Sequence, residues 1–287
     1  MEELWKESNG KASPDTFREL VQLGNRIDKD KVRRQRIWIM CAATAVAALL
    51  AVVAAGSFSY ASKSFDISPL DGTRSLVADY GSVESVTLDD GTKVTLNAGS
   101  SLFFPESFDR KNRIVYLSGE GSFSVARDPS RPFIVKTAYM DVQALGTSFS
   151  VQSYLGEKTV RTTLKEGKVK VDIPLVGDGP YYLDPDTQLV FTPATNSVRV
   201  DKVDAGRAMG WEIGYLSFSN ASFPEVASVL ERRFDVSISY NAESMRNNAL
   251  NVRFHPDEDL GDILDVLVLL IPGSRYKIIE NRVYWRF

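Results

Sequence analysis

Ile37–Phe58 reads IWIMCAATAVAALLAVVAAGSF, without one charged side chain. As a helix it extends about 33 Å, against a hydrocarbon core of about 30 Å. Ile37, Ile39, Val46, Leu49, Leu50, Val52, Val53 and Phe58 each favour insertion by about 0.3–0.6 kcal/mol at a helix centre. The stretch lacks the polar face of a soluble amphipathic helix, which argues against a buried core helix. The apolar run is long for a cleaved signal peptide, and so is the polar segment before it. Cys41, preceded by Trp38, Ile39 and Met40, is in the wrong context for a lipid-anchored cysteine. The reading is a single transmembrane helix over 37–58.

The flanks orient it. Lys29, Lys31, Arg33, Arg34 and Arg36 lie before the span, and only Lys63 lies close behind it. The positive-inside rule puts residues 1–36 in the cytoplasm and 59–287 outside. Ala43, Ala47, Ala51 and Ala55 recur every fourth residue and share one helix face. They are either a small-residue surface for helix–helix packing or plain alanine filler. In the inner tail, Ser13-Pro14-Asp15 opens a helix, with Ser13 as N-cap. Phe17, Leu20, Val21, Leu23 and Ile27 then follow at near-helical spacing. One short helix cannot bury that stripe alone, so it meets a partner, a second copy or the membrane surface, or stays unordered.

Composition excludes several chemistries. With a single histidine, His255, and a single cysteine, no His/Cys zinc site and no disulfide within one chain can form. His255 sits in His255-Pro256-Asp257, which reads as a turn before a helix, not as a catalytic base. Asp257, Glu258, Asp259, Asp262 and Asp265 lack calcium-loop spacing and suit a helix start instead. There is no Gly-rich phosphate loop and no paired-carboxylate motif. The net charge of −3, without a basic stripe beyond the juxtamembrane cluster, speaks against nucleic-acid binding. We therefore expect no enzyme, no cofactor, no metal and no small-molecule substrate.

Beyond the membrane, a linker over 59–80 leads to short strands. Val83, Val86 and Leu88 precede Asp89-Asp90-Gly91, followed by Val94 and Leu96. Ile114–Leu117 precede Gly119-Glu120-Gly121, then Phe123 and Val125. The rhythm continues to about residue 203. Apolar residues two apart between glycine turns predict antiparallel sheets packed as a jelly-roll-like all-β sandwich over 81–203. After Asp204 the pattern changes. Ser222-Phe223-Pro224-Glu225 is a capping box, and Val226, Val229, Leu230 and Phe234 form the apolar face of its helix. A second helix starts at Asp259 and stops at Pro272-Gly273, and a hairpin turns at Glu280-Asn281. The order β-α-β-β-α-β-β predicts a small α+β domain over 211–287.

These residues also carry a family resemblance. Asp90-Gly91-Thr92 with Val94, Leu96 and Asn97; Arg113, Val115, Leu117, Gly119-Glu120, Phe123 and Val125; Arg131-Pro132-Phe133 with Val135; Gly146-Thr147 with Phe149 and Val151; and Leu164, Glu166-Gly167, Val169 and Val171 resemble, in order, the FecR family of membrane-bound sigma-factor regulators. Trp211–Phe287 is similar to the short N-terminal signalling domain of secretins and TonB-dependent transducers. The resemblance implies an inner-membrane protein with a periplasmic C-terminal part. It implies two partners, an extracytoplasmic-function sigma factor inside and the signalling domain of an outer-membrane TonB-dependent transducer outside. The nutrient signal would be an iron carrier or a glycan. In this scheme Phe17, Leu20, Val21 and Ile27 meet the sigma factor. The final strand, with Val283, Tyr284 and Trp285, is a candidate exposed edge for the transducer. Family members carry a larger helical segment before the membrane, so either the start is misplaced or the tail folds on its partner. The other reading is a membrane-anchored binding module without inward signalling.

The resemblance further implies self-cleavage at Gly146-Thr147. The Thr147 hydroxyl would attack the Gly146 carbonyl, and the resulting ester would hydrolyse. The plainer reading is a close-packing glycine before a threonine that opens a strand.

Overall fold

One long strand, Arg113–Ser124 (β5), anchors the larger domain. The computed structural model describes residues 72–241 and 249–286, which lie in one unit spanning Pro69–Phe287. The first half of β5 pairs antiparallel with Ser100–Pro105 (β4) and parallel with Phe133–Lys136 (β6). Its second half pairs antiparallel with Lys93–Leu96 (β3) and Ser148–Ser153 (β8). Gly119-Glu120-Gly121 sits where the strand passes between these neighbours. One leaf continues through Thr73–Ala78 (β1) on one side, and through Asp141–Ala144 (β7), Val169–Asp172 (β10) and Tyr181–Leu183 (β11) on the other. The second leaf adds Glu84–Thr87 (β2), Val160–Glu166 (β9), Thr187–Thr192 (β12) and Ser197–Lys202 (β13).

The domain is thus one curled sheet and not the two separate antiparallel sheets expected from the alternation. Period-two patterning reports which face is buried, and both leaves bury their inner faces equally well. The parallel β5–β6 pair is a second departure. Along β5, Arg113, Val115, Leu117 and Phe123 point inward. Phe123 stacks on Phe149 at 5.3 Å between centroids, and Phe133 packs beside it. Each such ring, fully buried, contributes roughly 1.5–3 kcal/mol. The β domain also starts earlier than expected, because β1 falls in the stretch read as linker.

The C-terminal domain follows the predicted order. A single-turn helix, Ala205–Ala208 (α1), joins the two domains. Next come Leu216–Ala221 (β14), Phe223–Phe234 (α2), Ser237–Ser239 (β15), Leu250–Phe254 (β16), Leu260–Leu270 (α3), Arg275–Ile279 (β17) and Arg282–Arg286 (β18). The capping box forms, with the Ser222 N–H donating to Glu225 Oε2 at 2.8 Å. Asp259 caps α3 by accepting from the Asp262 N–H at 2.9 Å, so the acidic group there serves a helix start. Phe223, Val226, Ala227 and Leu230 of α2 meet Ile263, Leu264 and Leu267 of α3 in one core.

β18 is the centre of its sheet, parallel to β15 and antiparallel to β17. Val283 and Trp285 are buried in the core. The expectation that this strand offers an open edge is therefore overturned, because both of its ladders are occupied. Among the described residues, no helix is long and apolar enough to cross a membrane. The span at 37–58, with Ala43, Ala47, Ala51 and Ala55, and the stripe Phe17, Leu20, Val21 and Ile27 lie outside the described residues.

Candidate functional site

Gly146 and Thr147 link β7 to β8. Gly146 takes φ +150°, and a Cβ there would lie 2.9 Å from the Arg127 Cα. On the other side a Cβ on Gly167 would lie 2.5 Å from Thr147 Cγ2 and 3.2 Å from the Gly146 carbonyl oxygen. Both positions therefore demand glycine, and the Gly146–Thr147 bond is held between Arg127 and the Glu166-Gly167 turn. Thr147 is buried, and its carbonyl accepts from the Val125 N–H at 2.9 Å. Its hydroxyl is buried and has no hydrogen-bond partner among the described residues. A buried donor left unmatched is uncommon and calls for an explanation. Here it is a free hydroxyl one residue after a conformationally constrained carbonyl.

A second feature lies where the two domains meet. Glu120 of β5, Asn97 and Val83 form one wall of a cleft of about 220 Å³. Trp211, Glu212 and Tyr215, with Val229, Arg232 and Arg233 of α2, form the other. Asn97 donates its Nδ2 to Glu120 Oε2 at 2.7 Å. Burial pushes the Glu120 carboxyl up to about 7, outweighing the Asn97 hydrogen bond and the Arg232 charge. Arg232 lies over the Tyr154 ring at 3.7 Å and pairs with Glu157 at 2.7 Å. The Tyr154 hydroxyl donates to the Ala98 carbonyl at 2.9 Å, and burial holds it well above the usual phenol range. At the other end of α2, Arg161 of β9 reaches Glu225 at 3.3 Å. Burial draws Glu225 upward, but the Ser222 hydrogen bonds and the Arg161 charge outweigh it and hold the carboxyl below its ordinary value.

Sequence reasoning missed Glu120, Tyr154, Glu157 and Arg232 as a group. The one available signal was a glutamate between two glycines in a buried strand. Among the site residues it did select, Gly146 and Thr147 come together with Gly167. Val283 and Trp285 sit inside a core, and Tyr284 is half-buried. Among the described residues, the open edges of the three-stranded sheet belong to β15 and β17. On β17, Ile278 and Ile279 are exposed.

A curled β domain followed by this small α+β module defines a class of two-domain proteins. Residues 75–170 match the family described as FecR protein, and residues 215–285 match FecR, C-terminal. The chain belongs to the FecR family, which is not a family of enzymes. It is similar to a candidate anti-sigma factor from Parabacteroides distasonis ATCC 8503, seen in crystal structures at 1.65 and 2.50 Å. Each is 29% identical, with a TM-score of 0.70, over 74% of this chain and 98% of the other. Among curated proteins, none matches the chain.

Proposed function

We propose that this protein is a membrane-anchored anti-sigma regulator that controls an extracytoplasmic-function sigma factor. The observation that carries the reading is the pairing of a FecR domain with a FecR C-terminal domain, together with the likeness to a candidate anti-sigma factor over nearly all of the crystallised chain. The apolar stretch 37–58 and its cationic flank supply the inner-membrane anchor, with the N-terminus in the cytoplasm and the C-terminal domain in the periplasm. The Phe17, Leu20, Val21 and Ile27 stripe is the sigma-factor contact. Outside, the partner is the signalling domain of a TonB-dependent transducer reporting an iron carrier or a glycan. Because β18 is central, the strand that meets it is β17, where an open backbone edge and exposed isoleucines coincide. Gly146–Thr147 is the bond at which the protein cuts itself. The Thr147 Oγ adds to the Gly146 carbonyl carbon, the C–N bond breaks, and the hydroxyl proton passes to the Thr147 nitrogen. Water then hydrolyses the ester to a Gly146 carboxylate and a free Thr147 hydroxyl.

The test is capture of the full chain from detergent-solubilised membranes. Co-purification of a sigma factor of this class, lost when residues 1–36 are removed, is the expected result. Full retention of the sigma factor without those residues would overturn it.

A further inference from the structure

Helix α2 is tied to the β domain at both ends. At its N-terminus, Glu225 serves two roles, accepting from Ser222 in the capping box and from Arg161 of the β domain. At its C-terminus the Arg232 carbonyl accepts from the Gly81 N–H at 2.7 Å. A last-turn carbonyl has no partner within its own helix, so here the other domain supplies the cap. The Arg232 side chain continues the contact, stacking on Tyr154 and pairing with Glu157 in a site where the two side chains are only 11% and 18% exposed. The ion pairs are reciprocal: each domain gives one arginine and receives one. Meanwhile Phe223, Val226, Ala227 and Leu230 commit the opposite face of α2 to the C-terminal core. The helix cannot leave the β domain without carrying that core with it.

We propose that this seam is a latch with Arg232 as its bolt, whose release uncouples the C-terminal domain from the β domain. The ties that hold α2 at its two ends are polar and directional, so the seam has a defined open alternative in which both ion pairs are hydrated. Its position gives the release a route. Tyr154 lies just past one end of β8, and Thr147 lies just before the other. The latch itself rests on contacts within this chain; that its opening carries a signal rests on the regulatory reading above.

Protonation supports the same device. Glu120 faces Glu157 and Arg161 from its own domain, Arg232 and Arg233 from α2, and Glu212 from the turn after α1. Closed, its carboxyl holds a proton up to about pH 7, against an ordinary value of 4.5. Opening hydrates it and releases that proton. The open state is therefore favoured as pH rises between those limits, by up to roughly tenfold per pH unit. Above that window the closed state is ionised too, and the dependence ends.

Amide hydrogen exchange on the full chain in lipid nanodiscs tests the latch. In Arg232→Ala, exchange at Gly81 and across 154–157 should rise about tenfold or more, while β17–β18 and β5–β6 stay protected. Arg232→Lys, which keeps the charge but loses the planar stacking, should fall between. In the native chain, seam protection corrected for intrinsic exchange should drop from about pH 5.5 to about pH 7.5. Glu120→Gln should remove that drop. Seam exchange unchanged in Arg232→Ala overturns the proposal. If that variant unfolds a whole domain, Glu157→Gln replaces it under the same criterion. A seam that opens while sigma-dependent transcription stays fixed supports the latch and sinks the regulatory reading instead.

Discussion

Arg113 and Asp90 meet inside the β domain at 2.6 Å, with side chains 0% and 4% exposed. Asp90 also accepts from the Thr92 N–H and hydroxyl, and Arg113 donates to the Arg131 and Ala126 carbonyls. The Arg113 guanidinium lies over the Phe133 ring. Residues from three separate motifs, Asp90-Gly91-Thr92, Arg113 and Arg131-Pro132-Phe133, thus converge on one buried ion pair.

Breaking that pair should be severe. Arg113→Ala leaves a buried carboxylate without its partner, a loss of about 3–5 kcal/mol. Urea unfolding of residues 69–287 measures it. A midpoint within error of the parent would show that the pair contributes little.

Thr147→Ala should abolish the proposed self-cleavage while leaving the fold intact, since the hydroxyl has no hydrogen-bond partner among the described residues. Intact-mass analysis of the purified protein should show fragments meeting at Gly146/Thr147 in the parent and none in the variant. One full-length mass in both would sink the cleavage. By contrast, Gly146→Ala should destabilise the domain, because its Cβ would overlap Arg127.

The β17 edge makes a separate prediction. In a two-residue hairpin the closing pair, Ile279 and Arg282, exchanges ladder bonds, and alternation leaves the Ile278 N–H on the open side. Ile278→Pro removes that donor and should weaken the proposed binding of a transducer's signalling domain about tenfold or more. Calorimetric titration decides it, with circular dichroism to confirm that the domain is folded. Undiminished binding by the folded variant would rule out β17.

For the inner tail, Leu20→Asp with Val21→Asp places charge on the proposed sigma-factor face. Loss of one central anchor costs about 2 kcal/mol or more, roughly thirtyfold in affinity. Pull-down of the sigma factor at full level by the double variant would exclude this face.

Much of the fold could be read in the chain because its cues are local. The capping box at Ser222, the stop at Pro272-Gly273 and the turn at Glu280-Asn281 are all decided by neighbours in sequence. Strand order is not local. The alternation in Val283 and Trp285 told that one face is buried, but nothing in it says that β15 and β17 flank the strand. β1 was missed because its residues are mostly exposed, so no apolar alternation marks it. β4 did carry a signal, Leu102 and Phe104 two apart, but the intervening Phe103 blurred it. The seam joins residues 64 positions apart in the Arg161–Glu225 bond, a distance over which no periodicity extends.

The central place of β18 has a consequence for the order of assembly. As the chain emerges from its N-terminal side, β15 appears first and β17 second, and the two have no ladder with each other. Among the described strands it is β18, the last of the three to be made, that joins them. Until it arrives, two strands present unpaired backbone that other chains can recruit. The newborn domain is thus most vulnerable to stray pairing in the interval before its final hairpin closes.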